Sequence, residues 1–355
     1  MAKKARIWDG SQWIDIASAV TDLTQYANLT TTPISGFRNL LINGDMRINQ
    51  RGVTSGTADN TFCFDRWKMN NSGGTCTYTA QTFIPGNAIS GYEPTNHARI
   101  VTSGQSASGH FAMFRQNIED VRTFAGQTIT VSFWAKAASG TPKVALELEQ
   151  NFGTGGSPSS AVTTYAGQVT LSTSWARYSL TVTMPSISGK TIGTTANTSH
   201  VLCSLFVSAG SDWNARTGTL GIQSNTFDFW GVQAELGTIA TPLEQRPIAA
   251  ELALCQRYYQ PFPYHETQEV TGALGFASGS YYYGASTLPI KMRVDPVVTL
   301  SSISFRRASD ATAQTASNVY FLSTTNGVYW SFAASNSGYN ATNFFITCSV
   351  PTAEL

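Results

Sequence analysis

The sequence predicts an all-β protein built around an antiparallel two-sheet sandwich, and three observations carry that prediction. Between residue 37 and about residue 240, apolar side chains recur with period two. In one such segment Ile129, Val131, Phe133 and Ala135 fall on one face, and Thr128, Thr130, Ser132, Trp134 and Lys136 on the other. Runs rich in Gly, Ser and Thr, such as 153–164 and 186–199, separate the periodic segments as loops. Only 12% of the 355 residues are charged while 42% are hydrophobic and 12% aromatic, so a hydroxyl- and amide-rich surface encloses a sizeable apolar core. One apolar and one polar face per strand is what two packed antiparallel sheets require.

Taken in order, residues 1–36 form a separate N-terminal piece. Asp9-Gly10 reads as the turn of a small hairpin flanked by Trp8 and Trp13. So short a piece buries little core, which makes Trp8 and Trp13 candidates for docking on another protein, with packing on the adjacent domain as the alternative. Residues 37–246 are the sandwich. Val144, Leu146 and Leu148 alternate there with Ala145, Glu147 and Glu149. Tyr178, Leu180, Val182 and Met184 alternate with Arg177, Ser179, Thr181 and Thr183, and Val201, Cys203, Leu205 and Val207 repeat the pattern. Residues 247–262 form a connecting helix, with Pro247 at its tolerated first position. Ile248, Leu252, Cys255 and Tyr259, at steps of four, three and four, share one apolar face. Residues 263–355 return to short strands at 279–283, 290–294, 297–305, 319–323, 327–332 and 343–350, with a turn at Asn326-Gly327, and form a second small β domain.

The composition also excludes several functions. A net charge of +1 gives no reason to expect nucleic acid as a partner. No apolar run approaches the ~20 residues of a membrane span, and none follows Lys3, Lys4 and Arg6 as a leader would require. The five cysteines, Cys63, Cys76, Cys203, Cys255 and Cys348, are scattered and read as reduced thiols, although Cys63 and Cys76 could meet across a hairpin. His97, His110, His200 and His265 lie far apart without metal-ligand spacing. No G-x-S-x-G elbow is present, and Gly189-Lys190-Thr191 lacks the rest of a phosphate loop. Glu147 and Glu149 share a strand face, near enough in principle for a glycosidase pair, but a solvated strand face is the expectation. No catalytic residue, metal or cofactor is therefore expected.

Two segments resemble a known family. Residues 227–259 contain a strand ending GVQ-E-G followed by P-x-x-x-E-L-x-x-C-Q-R-Y-Y, and residues 39–67 contain N-L-L-x-N-G-D, then Arg51-Gly52 and Asp65-Arg66-Trp67. Both resemble bacteriophage tail-fibre and minor tail proteins. The stretch from residue 39, with 127–137 and 175–183, is also similar to jelly-roll carbohydrate-binding modules. The resemblance implies that the sandwich is a jelly roll and that the chain is a virion protein of the tail-fibre or receptor-binding class, assembled in the host cytoplasm. Residues 1–36 would dock on tail or baseplate proteins, and a homotrimer would pack Ile248, Leu252, Cys255 and Tyr259 about its axis. An accessory module of a sugar hydrolase and a head fibre or decoration protein are the alternatives.

Such modules stack aromatic rings on sugars, which makes Trp134 the candidate in the sandwich, with burial under a loop or subunit as the alternative. Tyr281, Tyr282, Tyr283 and Trp330 are the candidates in the second domain, with core and subunit interface as the alternative. The only cations beyond residue 264, Lys291, Arg293, Arg306 and Arg307, favour a neutral host-surface glycan there. The modules' calcium site is not expected: Arg47 stands where an acid is common, and Trp230-Gly231 where two aspartates are.

Overall fold

The computed structural model describes residues 6–8, 13–15, 37–86, 89, 91–260, 275–278, 281–296, 300–306, 313–315, 317–333, 343–348 and 354. The sandwich consists of two six-stranded antiparallel sheets. Its strands are β3 (Ser55–Gly56), β4 (Thr61–Phe64), β5 (Trp67–Ser72), β6 (Thr75–Thr82), β7 (Asn96–Ser103), β8 (Phe111–Glu119), β9 (Thr128–Ala137), β10 (Lys143–Asn151), β11 (Val162–Thr170), β12 (Ala176–Thr183), β13 (His200–Ala209) and β14 (Asn225–Leu236). The front sheet runs β11-β10-β13-β8-β5-β4 and the back sheet β12-β9-β14-β7-β6-β3. Consecutive strands thus alternate between the sheets for much of the chain, the crossing pattern of a jelly roll.

The inward faces are those that the alternation selects. Ile129, Val131, Phe133, Val144, Leu146, Leu148, Val201, Cys203, Leu205 and Val207 are fully buried, and Tyr178, Leu180 and Val182 pack against them. Aromatic rings join the sheets. Phe114 of β8 stacks on Trp67 at 4.7 Å and meets Phe229 of β14 at 5.9 Å, and Phe133 lies 6.0 Å from Phe229.

β11 was hidden in the sequence by an irregularity. Gly167, at φ +129°, lies where β10 slips register between Leu146 and Glu147, and this breaks the alternation at the end of an apparent loop. A Cβ at Gly167 would lie 2.9 Å from Leu180 Cδ2.

The N-terminal hairpin pairs β1 (Arg6–Trp8) with β2 (Trp13–Asp15) and sets Trp8 opposite Trp13. The docking role of Trp8 and Trp13 lies outside the described residues, which carry no account of those two side chains. After the sandwich, α1 (Asn214–Thr217) having already crossed its front sheet, α2 (Ile248–Gln256) follows Pro247. Beyond α2 lie β15 (Gly275–Ser278), β16 (Tyr281–Thr287), β17 (Leu300–Arg306), β18 (Ala313–Thr315), β19 (Ser317–Thr324), β20 (Gly327–Ala333) and β21 (Asn343–Cys348). They form a four-stranded sheet, β15-β16-β20-β19, and a three-stranded one, β18-β17-β21.

Three expectations need correction. Residues 290–294 are not a strand. Met292 N donates to Thr325 O at 2.8 Å and Arg293 N to Arg257 O at 2.8 Å, so the segment bridges a hairpin turn and the end of α2 instead of joining a ladder. The β19–β20 turn is centred on Thr325-Asn326, because Gly327 already pairs with Thr324. The inward line of α2 is Glu251, Cys255 and Tyr258, not the apolar series that begins at Ile248. An ion pair between Arg246 and Glu251 at 3.2 Å, and Asn43 N donating to Glu251, draw the acidic side chain inward. Ile248 is left 52% exposed. Cys255 is wholly buried inside its own chain and so cannot line an axis between subunits.

Cys63, Cys76, Cys203 and Cys255 are free, buried thiols, so the possible Cys63–Cys76 bridge is not made. Burial pushes the Cys63, Cys76 and Cys203 thiols up to about 12, which leaves them unreactive packing groups.

Candidate ligand-binding face

Register places one residue from every front-sheet strand in a single row on the face away from the core. From β11 to β4 the row reads Tyr165, Glu147, Ser204, Arg115, Lys68 and Phe62. Directly paired residues share a face, and neighbouring strands lie about 4.8 Å apart, so five spacings give a strip about 24 Å long across the strands. Beside it, Thr163, Glu149, Leu202 and Asn117 form a second row. On the other side Phe206 and Met113 are roofed by Trp213 and Leu220, which close that edge.

Charge organises the strip. Glu147 is not on a solvated strand face as expected: it is fully buried beneath α1, and Arg216 clasps it. Arg216 Nε and Nη2 donate to the two Glu147 oxygens at 2.5 Å each, and Nη2 also donates to Glu149 Oε2 at 3.1 Å. Burial raises the Glu147 pKa against the pull of Arg216. The possible glycosidase pair is therefore a two-carboxylate seat for one guanidinium. Lys68 and Arg115 stand opposite each other in the same row. Burial and the neighbouring arginines bring the Lys68 ammonium down to about 8, with Glu354 acting in the other direction. At the β11 end the Tyr165 ring is 38% exposed. At the β4 end Arg51 and Lys68 lie against the Phe62 ring, at 4.1 Å and 4.8 Å from its centre.

The outer face of the back sheet is mostly covered. Trp134 points there, as its parity requires, but is only 6% exposed. Tyr92 and Trp230 pack on it with ring centres 5.3 Å and 5.4 Å away, and the Arg177 guanidinium lies 4.8 Å from its ring centre. β14 bulges at Gly231, whose φ is +63°, and a Cβ there would approach Trp134 Cε3 to 2.8 Å. Trp134 thus offers no free ring face to a sugar, and the covered alternative holds.

Beside it lies a charged cluster. Asp228 accepts from Arg99 Nε at 2.7 Å and Nη2 at 3.0 Å, and has Lys136 Nζ at 3.6 Å and His97 Nε2 at 3.7 Å. Burial alone would raise the Asp228 carboxyl, but the Arg99 and His97 interactions outweigh it and bring it to about 2. A folded-state pKa below the ordinary value near 3.9 stabilises the fold above about pH 4, and the contribution fades as pH falls toward 2. Asp228→Asn is expected to destabilise the protein by on the order of 2 kcal/mol at neutral pH. Urea midpoints of the two proteins should converge as pH falls below 4, and a gap that stays constant down to pH 3 would refute the assignment.

The residues of the two family-like segments act mainly as ties. Asn43 Nδ2 donates to Ile48 O and Asp65 O at 2.8 and 3.0 Å, and Asn39 Nδ2 donates to Val232 O at 3.1 Å. Gln233 Oε1 accepts from Glu244 N at 2.8 Å, and Glu235 Oε2 from Thr241 Oγ1 at 2.6 Å. Arg257 donates to both Glu119 oxygens at 2.8 Å, while Arg66 and Arg51 stack on Tyr258 and Tyr259 at 3.4 and 3.7 Å. The Arg47 guanidinium pairs with Asp45 and donates to Arg246 O at 2.8 Å.

Between β16 and β20, register pairs Tyr281, Tyr282 and Tyr283 with Ala333, Phe332 and Ser331, and Trp330 with Gly284. Their side chains lie outside the described residues. The cross-strand neighbours Leu322 and Tyr329 are 48% and 46% exposed. Sequence reasoning missed Tyr165, Arg115 and Lys68 as site residues. The signal for Tyr165 was alternation within 162–166, before the irregularity at Gly167.

Comparison with known proteins adds a family match. Residues 67–200 match the family model of a carbohydrate binding domain. No curated protein matches the chain. Among solved structures, the chain is similar to the enzymatically active domain of tailspike protein 4 of bacteriophage CBA120, at 14% identity and TM-score 0.32, over 57% of this chain and 22% of that one. It is also similar to a putative sugar binding protein from Bacteroides thetaiotaomicron, at 13% identity and TM-score 0.36, over 56% of this chain and all of that one. A third is the CBM22-2 xylan-binding domain of Paenibacillus barcinonensis Xyn10C, at 16% identity and TM-score 0.31, over 52% and 98%.

Proposed function

We propose that the sandwich binds a glycan laid across the front-sheet strip, and that the chain is a phage tail fibre or receptor-binding protein that uses this contact to attach to a host surface. The carrying observation is the row itself: half-buried Phe62, Lys68 and Arg115 at one end and the exposed ring of Tyr165 at the other, with Ser204 and the Arg216-covered Glu147 buried between them. Hydrogen-bonding groups beside an exposed aromatic face suit a sugar, which is apolar on its ring faces and polar at its rim. The carbohydrate binding domain match over 67–200 includes Lys68, Arg115, Glu147, Tyr165 and, at its boundary, His200. It supports the sugar reading and equally supports the rival, an accessory module of a sugar hydrolase.

The virion part of the reading is supported by the segments at 39–67 and 227–259. In it, residues 1–36 meet tail or baseplate proteins, and the second domain, with exposed Leu322 and Tyr329, offers a further host contact. A homotrimer would use Ile248 and Leu252 on the outward side of α2. Assembly would take place in the host cytoplasm. Antibody labelling of virions in the electron microscope separates the readings: label on the tail supports attachment, label on the head makes the chain a head fibre, and absence from virions leaves the accessory module. Affinity electrophoresis against soluble polysaccharides tests the face. Tyr165→Ala should weaken binding about tenfold, the equivalent of about 1.4 kcal/mol for a lost stacking ring, and unchanged retardation would remove the front sheet from consideration.

A further inference from the structure

We propose that the end of the sandwich beyond Trp213 carries a second sugar site, separate from the front-sheet strip: an open pocket for the terminal residue of a neutral glycan. The pocket has a volume of about 410 Å³, within the size range of small-ligand sites, and Ser106, Ser108, Ser211, Asn214, Thr219 and Ile222 stand around it. Ala209 and Gly210, where β13 ends, also border it. Along β13, Ala209 lies five residues past Ser204 of the strip, roughly 16 Å at about 3.3 Å per residue. The row of Phe206 and Met113, roofed by Trp213 and Leu220, stands between the two sites. A glycan therefore enters the pocket end first from solvent and does not run on along the sheet.

The walls are fixed by their own hydrogen bonds. Ser106 N and Ala107 N donate to His110 Nδ1 at 3.1 and 3.3 Å, and His110 N donates to Ala107 O at 3.1 Å, which closes the 106–110 loop. Gly210 N donates to His110 O at 2.7 Å, Ala209 N to Gly221 O at 3.0 Å, and Trp213 Nε1 to Gly109 O at 3.1 Å. A Cβ at Gly210 would lie 2.3 Å from Ser108 O and 2.5 Å from Ala107 O, so glycine is what lets the strand end meet the loop this closely. Thr219 is held at φ +60°, a left-handed conformation unusual for a β-branched residue, with its N–H on Asn214 O at 3.2 Å and Leu220 buried beside it. A wall already ordered loses little freedom when a ligand arrives.

The wall chemistry selects the ligand. Ser106 Oγ, Ser211 Oγ and the Asn214 side-chain amide make no hydrogen bond to another described residue, so both donors and acceptors face the pocket unengaged. Ala107, Ala209 and Ile222 add aliphatic contact, and Ile222 is 37% exposed. Uncharged groups of both hydrogen-bonding senses beside aliphatic carbon match a sugar ring, whose hydroxyls donate and accept around carbon-bound hydrogens. No charged residue borders the pocket, and the carboxylate beside it, Asp212, accepts from Ser108 Oγ at 3.0 Å. That carboxylate disfavours uronates, sulfates and phosphates.

The test is titration calorimetry on the full chain with neutral methyl glycosides, their uronic-acid counterparts and neutral oligosaccharides. At least one neutral glycoside should bind, and oligosaccharides ending in that sugar should bind with the same strength whatever their length. Asn214→Ala should weaken binding about tenfold, and Ser211→Trp, at an exposed position, should abolish it by filling the pocket, with melting curves like the parent's. Tyr165→Ala, which changes only the strip, should leave glycoside binding intact. Binding lost in Tyr165→Ala but kept in both pocket variants overturns the second site while the strip reading stands. The reverse pattern supports the pocket and counts against the strip. Tighter binding of uronates overturns the neutral-sugar assignment, and binding of free glycosides without oligosaccharides overturns the chain-end assignment. If no glycoside or oligosaccharide binds, the pocket assignment falls.

Discussion

Arg246→Ala is expected to destabilise the protein by about 3–5 kcal/mol, because it strands a buried carboxylate. Arg246 and Glu251 are only 6% and 3% exposed, and Arg246 Nη1 lies 3.2 Å from both Glu251 oxygens. The same guanidinium donates to Leu41 O at 3.2 Å and to Asn39 O. It therefore ties the start of the sandwich to the segment that enters α2. Glu251 in turn accepts from Asn43 N. Removing Arg246 leaves an acid in the interior and two backbone carbonyls without that donor, whereas replacing Arg246 and Glu251 together by Met strands neither charge of the pair. The double variant should then be less damaged than Arg246→Ala alone. Urea denaturation of the three proteins checks this, and a loss below 1 kcal/mol for Arg246→Ala would mean that water reaches Glu251.

What was legible in the sequence follows from what each residue answers to. Phe133, Leu146, Leu180 and Leu205 face a continuous core, and period two alone places them. Glu147 has the same parity signal as an exposed residue, yet it is buried, because Arg216 reaches it from 69 positions away. No local pattern encodes that pairing. The ties made by Asn39, Asn43 and Glu251 are similar: the segments holding them stood out as family-like wording, but their roles depend on contacts across about 200 residues. Helical spacing put Ile248, Leu252, Cys255 and Tyr259 on one apolar face, and the Arg246–Glu251 pair turned the helix so that Glu251, Cys255 and Tyr258 face inward. The strip was invisible for the same reason, since Tyr165, Arg115 and Lys68 meet only through sheet order.

Trp134→Ala is expected to cost about 3–5 kcal/mol of stability and to leave glycan affinity unchanged. A tryptophan on the polar side of a strand invites assignment to a ligand, but this one is enclosed by Tyr92, Trp230 and Arg177. The bulge at Gly231 brings backbone against the ring, which a strand of regular register would not do. Truncation would open a cavity of nearly indole size among Tyr92, Trp230 and Arg177. It would also free Arg177, whose Nη2 donates to Ser132 Oγ at 3.0 Å, from the ring it covers. Trp134→Phe keeps part of the packing and should fall between the parent and the alanine variant. Thermal melts measure the first effect and affinity electrophoresis the second. A Trp134→Ala protein with parental stability and lost sugar binding would reverse the assignment, placing the ligand on the back sheet and Tyr165 among ordinary surface rings.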